Sequence, residues 1–207
     1  MNQLTNNTMK GFTVWMTGLP FTGKKAAAEA LAKRLEALGY KTELLIGGAI
    51  RRIYDKDLGY SKQEIFKNIR RIAFECKMLS ENGIVAIAVT ISPYKELRLE
   101  CRNLIDRFYE VYFKCGIDVL KKRDSKGLFK KAEEGLVKNV AGISIPYEES
   151  DNVEMVVDAE KANSYEISNS IILGLIEQGF LEEADSSILL KKEEQDIRNI
   201  LRKTWFK

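Results

Sequence analysis

Residues 18–25 read Gly-Leu-Pro-Phe-Thr-Gly-Lys-Lys, and they join two segments of different periodicity. Phe12 to Met16, before them, is a continuous apolar run of strand length. Ala26 to Leu38, after them, is rich in Ala and Leu, with apolar residues at helical spacing. Strand, glycine-framed loop, lysine and helix together meet a narrow requirement. Successive backbone N–H groups can turn inward to form an anion nest, and the helix N-terminus adds positive potential. Lys24 then reaches the β- and γ-phosphates of a bound nucleotide. A plain glycine-rich βα turn with a surface lysine would share the string, but the flanking strand and helix favour the nest. The expected phosphate-binding residues are therefore Gly18, Leu19, Pro20, Phe21, Thr22, Gly23, Lys24, Lys25 and Ala26.

The residue after the lysine is unusual. A Ser or Thr hydroxyl normally stands there and ligates Mg²⁺. Here it is Lys25, whose ammonium cannot ligate a cation and repels one. The remaining chemistry is equally constrained. The chain has no histidine, which excludes a Ser-His-Asp triad and a His-ligated zinc site. Cys76, Cys101 and Cys115 are scattered and form no CxxC pair, which reads as reduced structural thiols. No metal-ligating set is expected. Lys, Arg, Asp, Glu and hydroxyls remain, the equipment of phosphoryl transfer. A net charge of +3 is too small to imply nucleic acid or a membrane surface. The polar start, Met1 to Lys10, lacks a signal-peptide pattern, and no apolar run is long enough to span a bilayer. A cytoplasmic chain is expected.

Further along, Gly39 ends the first helix, Thr42 to Ile46 reads as a strand, and Gly47-Gly48 as its break. Ala49 to Tyr60 is mixed. Ser61 with Glu64 forms a capping box for a long helix to Leu79, whose apolar face is Ile65, Ile69, Ile72 and Cys76. Ile84 to Val89 reads as a strand covered on both faces. Ser92-Pro93 precedes a helix over Lys95 to Asp106; Phe108 to Phe113 is a strand and Gly116 to Lys122 a short helix. Arg123 to Lys138 is basic and glycine-hinged, either a lid over bound nucleotide or a solvated face. Val153 to Val157 and Ser164 to Ile176 supply the last strand and helix. The alternation predicts a three-layer α/β fold, a five-stranded parallel sheet with helices on both faces, over residues 1–181. Residues 182–207 read as a charged helical extension.

With these pieces placed, the chain resembles the adenylyl-sulfate (APS) kinases from about Gly11 to Phe180. The resemblance rests on ordered strings: Gly11 to Trp15, Lys56 to Ser61, Asn68-Ile69-Arg70-Arg71-Ile72, Ile91-Ser92-Pro93-Tyr94, Arg123-Asp124 with Lys126-Gly127-Leu128, and Gly142-Ile143 with Pro146-Tyr147-Glu148. It implies a P-loop kinase fold and transfer of the γ-phosphate of Mg-ATP to the 3′-hydroxyl of APS, giving PAPS. It also implies ATP or ADP as cofactor, APS or PAPS as the second nucleotide, and a homodimer. By position, Lys24 matches the catalytic lysine and Arg123 a nucleotide-binding arginine. Arg51, Tyr60, Asn68, Ile91, Lys126, Lys138, Val140, Gly142 and Ile143 match the substrate side, Tyr60 as a stacking ring. Ser92 matches a serine sometimes assigned a phosphorylated intermediate; substrate positioning is the reading preferred here.

The departures from the family fall at the chemistry. The family's second strand ends in Asp-Gly-Asp-Asn, whereas this one ends in Ile46-Gly47-Gly48-Ala49. Ile65 stands for an arginine, Val140 for a second stacking aromatic, and Ala141 for a threonine. The Mg²⁺ requirement is thereby put in doubt. The inactive APS-kinase-like domain of fungal ATP sulfurylases, which binds PAPS as a regulator, lacks the same Asp and the same hydroxyl. A regulatory nucleotide binder with weak or no kinase activity, in contact with an ATP sulfurylase, is the first expectation. An active kinase with a metal site rebuilt from Asp55, Asp57 or Asp124 is the second. A kinase-like fold adapted to another phosphate-bearing ligand is the third.

Overall fold

The computed structural model describes residues 10–54, 57–185 and 187. Five parallel strands form one sheet in the order β2-β3-β1-β4-β5: β1 Thr13–Thr17, β2 Lys41–Ile46, β3 Ile84–Val89, β4 Phe108–Lys114 and β5 Met155–Asp158. The centre of the sheet is almost wholly apolar. Val85 to Ala88 are fully buried, as a strand flanked by neighbours and covered on both faces must be.

Helices α1 (Lys24–Ala37) and α7 (Ser164–Glu177) cover one face. Leu31 and Leu35 of α1 pack there with Val14, Met16, Val111 and Phe113. Small alanines at 27, 28 and 32 let α1 lie close to the sheet. Helices α3 (Lys62–Glu81) and α4 (Lys95–Leu104) cover the other face, with Trp15, Ile69, Ile72, Cys76 and Leu97 in the core. The capping box is present at α3: Ser61 accepts from the Glu64 N–H, and the Glu64 carboxylate accepts from the Ser61 N–H. None of the described helices is long and apolar enough to cross a membrane.

Gly47-Gly48 does not break the chain into loop, as expected. It opens helix α2, Gly47–Tyr54. The reason is a close approach. A Cβ on Gly47 would lie 3.3 Å from the Val89 carbonyl and 3.4 Å from Ile72 Cδ1, so a residue without a side chain lets the first turn of α2 rest on the end of β3. Ile50 then buries toward α3. The last strand begins at Met155 rather than Val153.

Two short helices, α5 (Ile117–Arg123) and α6 (Leu128–Glu133), follow β4. They have a small core of their own, Leu120, Phe129, Ala132 and Val140, separate from the two main cores. Most of residues 182–207 lies outside the described residues, as does Asp55.

Candidate functional site

The loop between β1 and α1 carries the strongest local constraint. Gly18 has φ +137° and a Cβ there would lie 2.6 Å from the Phe113 carbonyl, so both backbone conformation and space demand glycine. Phe21 and Gly23 also have positive φ, 65° and 84°, and these reversals turn the loop into a concavity above the N-terminus of α1. The Lys24 ammonium folds across it, donating to the Gly18 carbonyl at 2.8 Å, the Leu19 carbonyl at 2.6 Å and Thr22 Oγ1 at 2.9 Å. Burial lowers its pKa to about 7, because the charged form is the one that loses hydration.

Parallel strands place this loop at the carboxyl end of the sheet, beside the turns that follow β2 and β3. Together they enclose a cavity of about 780 Å³. Of the residues expected from sequence, Pro20, Phe21, Thr22, Gly23, Lys24, Lys25, Ala26, Arg51, Tyr60, Asn68, Ile91, Ser92, Arg123, Lys138 and Val140 line it. Leu19, Gly142 and Ile143 line an adjoining groove of about 1120 Å³ instead. Lys126 is exposed and lines neither; its backbone N–H is held by Asp124 at 3.2 Å.

The lining is strongly cationic. Lys24, Lys25, Arg51, Arg123 and Lys138 face one carboxylate, Glu29, among the described lining residues. That carboxylate pairs with Lys25 at 3.4 Å. Ile46, the last residue of β2, contributes a hydrocarbon wall, and a Cβ on Gly48 would meet nothing within 4 Å. Among the described residues no group of three His, Cys, Asp or Glu could hold a metal ion. Asp124, one of the alternative metal ligands, is spent on structure: its carboxylate accepts the N–H groups of Lys126 and Phe129 (2.7 Å for the latter) at the start of α6.

The substrate-side residues differ in their commitments. Tyr60 is 56% exposed, and the Arg51 guanidinium lies over its ring at 4.4 Å while also donating to the Gly59 carbonyl. One face of the ring is therefore backed by a cation. Val140 is buried among Leu120, Phe129 and Ala132, so it gives the cavity a wall rather than an open platform. Phe21 packs edge-on against Phe129 at 5.3 Å, which joins the phosphate loop to the basic segment read as a lid.

Ser92 is 1% exposed with φ +37°. Its hydroxyl sits within hydrogen-bond distance of Thr17 Oγ1 (2.8 Å), Thr90 Oγ1 (2.9 Å) and Trp15 Nε1 (3.2 Å). The Tyr147 hydroxyl joins the same cluster through Thr17 at 2.8 Å. Below it, buried Arg98 donates to the Ser92 carbonyl at 2.6 Å and to the Glu148 carbonyl, and pairs with buried Glu110 at 3.1 Å. Sequence reasoning missed Thr17, Thr90, Arg98 and Glu110. Their only signal was polar residues inside otherwise apolar elements.

Comparisons with known proteins agree on one family. The adenylylsulphate kinase family model matches residues 10–158. The chain is 40% identical over 173 residues to a probable adenylyl-sulfate kinase of Pyrococcus abyssi, covering 84% of this chain and 99% of that one. It is 41% identical over 180 residues to a probable bifunctional SAT/APS kinase of Sorangium cellulosum, covering 87% of this chain but only 31% of the larger protein. Among solved structures, the Mycobacterium tuberculosis APS kinase in complex with AMPPNP and APS superposes with a TM-score of 0.76 at 29% identity, covering 80% of this chain and 98% of that one. With the P-loop, the parallel sheet and these matches in agreement, the chain belongs to the adenylylsulphate kinase family.

Proposed function

We propose that the chain binds adenine nucleotides in this cavity, ATP or ADP over the phosphate loop and APS or PAPS on the Tyr60 side, and transfers phosphate weakly or not at all. The family reaction is ATP + APS → ADP + PAPS. The observation that carries the reading is the charge of the cavity: five cations and one carboxylate already paired to a lysine. Such a lining attracts polyanions. Transfer additionally needs a group to organise the attacking hydroxyl and a metal to bridge the phosphates. The donor set here does not fit Mg²⁺, since position 25 is an ammonium, position 46 a hydrocarbon and position 48 a hydrogen.

The role of such a protein is regulatory. The partners that fit it are a second copy of the chain and an ATP sulfurylase. The similarity to a relative named as a bifunctional SAT/APS kinase supports the latter. The test is calorimetric titration of APS in the presence of ADP, with turnover measured beside an active family member. Binding with turnover lower by several orders of magnitude is expected. Absence of binding to every adenine nucleotide refutes the reading, and so does turnover comparable to the active relative.

A further inference from the structure

The nucleotide-binding reading leaves open what form of the nucleotide the cavity takes. A divalent ion that travels with a nucleotide usually keeps several waters and gains one or two oxygen ligands from the protein. The described walls nearest the phosphate loop present ammonium and guanidinium groups in their place. Lys25 stands one residue after the loop lysine, its side chain 67% exposed, tethered to Glu29 at 3.4 Å. Thr22 Oγ1, the loop's own hydroxyl, is already engaged by the Leu19 carbonyl at 3.1 Å and by Lys24 at 2.9 Å. The hydroxyls of Thr17, Thr90 and Ser92 are engaged with one another.

We infer that the cavity takes the polyphosphate of an adenine nucleotide as the metal-free anion, with the Lys25 ammonium in the place of the metal ion. This rests on the nucleotide-binding reading above. The weak exposed pair with Glu29 is a resting place from which the ammonium can turn to a phosphate oxygen, since a pair of this kind is worth little in water. Magnesium then acts against binding. It occupies the phosphate oxygens the lysines need, removes two negative charges from the ligand and brings a dication toward Lys25.

The experiment is calorimetric titration of ADP and ATP into the full chain in EDTA, then in excess Mg²⁺ at matched ionic strength, for wild type and Lys25→Ser. Wild type is expected to lose at least about ten-fold in affinity when Mg²⁺ is added. Lys25→Ser, which removes the ammonium and supplies a hydroxyl, is expected to bind the metal-free nucleotide less tightly than wild type and to lose or reverse the magnesium penalty. Wild-type affinity that is unchanged or improved by Mg²⁺ overturns the inference while leaving nucleotide binding intact. An unchanged magnesium response in Lys25→Ser overturns the role given to this lysine. Failure of wild type to bind either nucleotide under both conditions overturns the nucleotide-binding reading itself. Position 25 is an exposed helix position, and matching thermal melts of the two proteins establish that the fold is retained.

Discussion

Replacing Arg98 by Met is the sharpest test of how the floor of the cavity is built. Arg98 is 1% exposed and faces Glu110, 3% exposed, at 3.1 Å. Its other donors hold the Ser92 and Glu148 carbonyls and Ser150 Oγ. Removing one partner of a buried ion pair leaves the other charged and desolvated, which typically costs about 3–5 kcal/mol. Glu110 keeps Arg102 at 3.4 Å and the Ser150 hydroxyl, so the low end, about 3 kcal/mol, is expected. For a chain of 207 residues each kcal/mol lowers Tm by roughly 2–4 °C, giving a fall of about 6–12 °C. Thermal melts by circular dichroism read it directly. The double variant Arg98→Met/Glu110→Leu should recover much of the loss, because the stranded carboxylate is gone. The reasoning is refuted if Arg98→Met melts within about 2 °C of wild type, or if the double variant is less stable than the single one.

Three further outcomes are expected. Lys24→Ala should abolish detectable ADP binding in calorimetry, since the loop loses its central cation; retained affinity would mean the nest is not the phosphate site. ADP binding at pH 7.5 should take up between about half a proton and one proton, because burial holds the free Lys24 near pKa 7 and an adjacent phosphate raises it. Titrations in buffers of different ionisation heat measure this, and zero uptake contradicts it. Glu64 is held at a pKa of about 2, first by the Ser61 hydroxyl and then by the Gly59 and Ser61 N–H groups. Its folded pKa is below the unfolded one, so its contribution is present above the ordinary carboxylate value of 4.5 and is lost as pH falls toward 2. The melting-temperature gap between wild type and Glu64→Gln should accordingly close over that window.

Local patterns in the sequence carried most of the fold. The buried run Ile84–Val89, the alanine-rich start of α1 and the Ser61–Glu64 box are all decided within a few residues of themselves. The phosphate loop is legible for the same reason. What was not legible depended on partners far along the chain. Gly47-Gly48 reads as a break, yet the end of β3 turns it into the first turn of a helix. Val140 reads as a platform, but burial among Leu120 and Phe129 makes it a wall of a separate small core. The Arg98–Glu110 pair joins α4 to β4, and the Tyr147–Thr17 contact spans 130 positions. No short window of sequence holds either pair. Asp124 could be a ligand in a string of letters; in the fold it caps α6.

The central claim is that phosphate binding and phosphoryl transfer are separated here by a few identifiable substitutions. The direct measurement is ATP- and APS-dependent PAPS formation in wild type and in Lys25→Ser/Ile46→Asp/Gly48→Asp, with excess Mg²⁺. Position 48 has open space for a carboxylate and lies in the first turn of α2, where a negative charge is favourable. Position 46 ends β2 at the cavity wall. The account predicts wild-type formation near background and a variant faster by at least about 100-fold, or about 2.7 kcal/mol in barrier, now requiring Mg²⁺. Robust magnesium-dependent PAPS formation by the wild-type chain would contradict it.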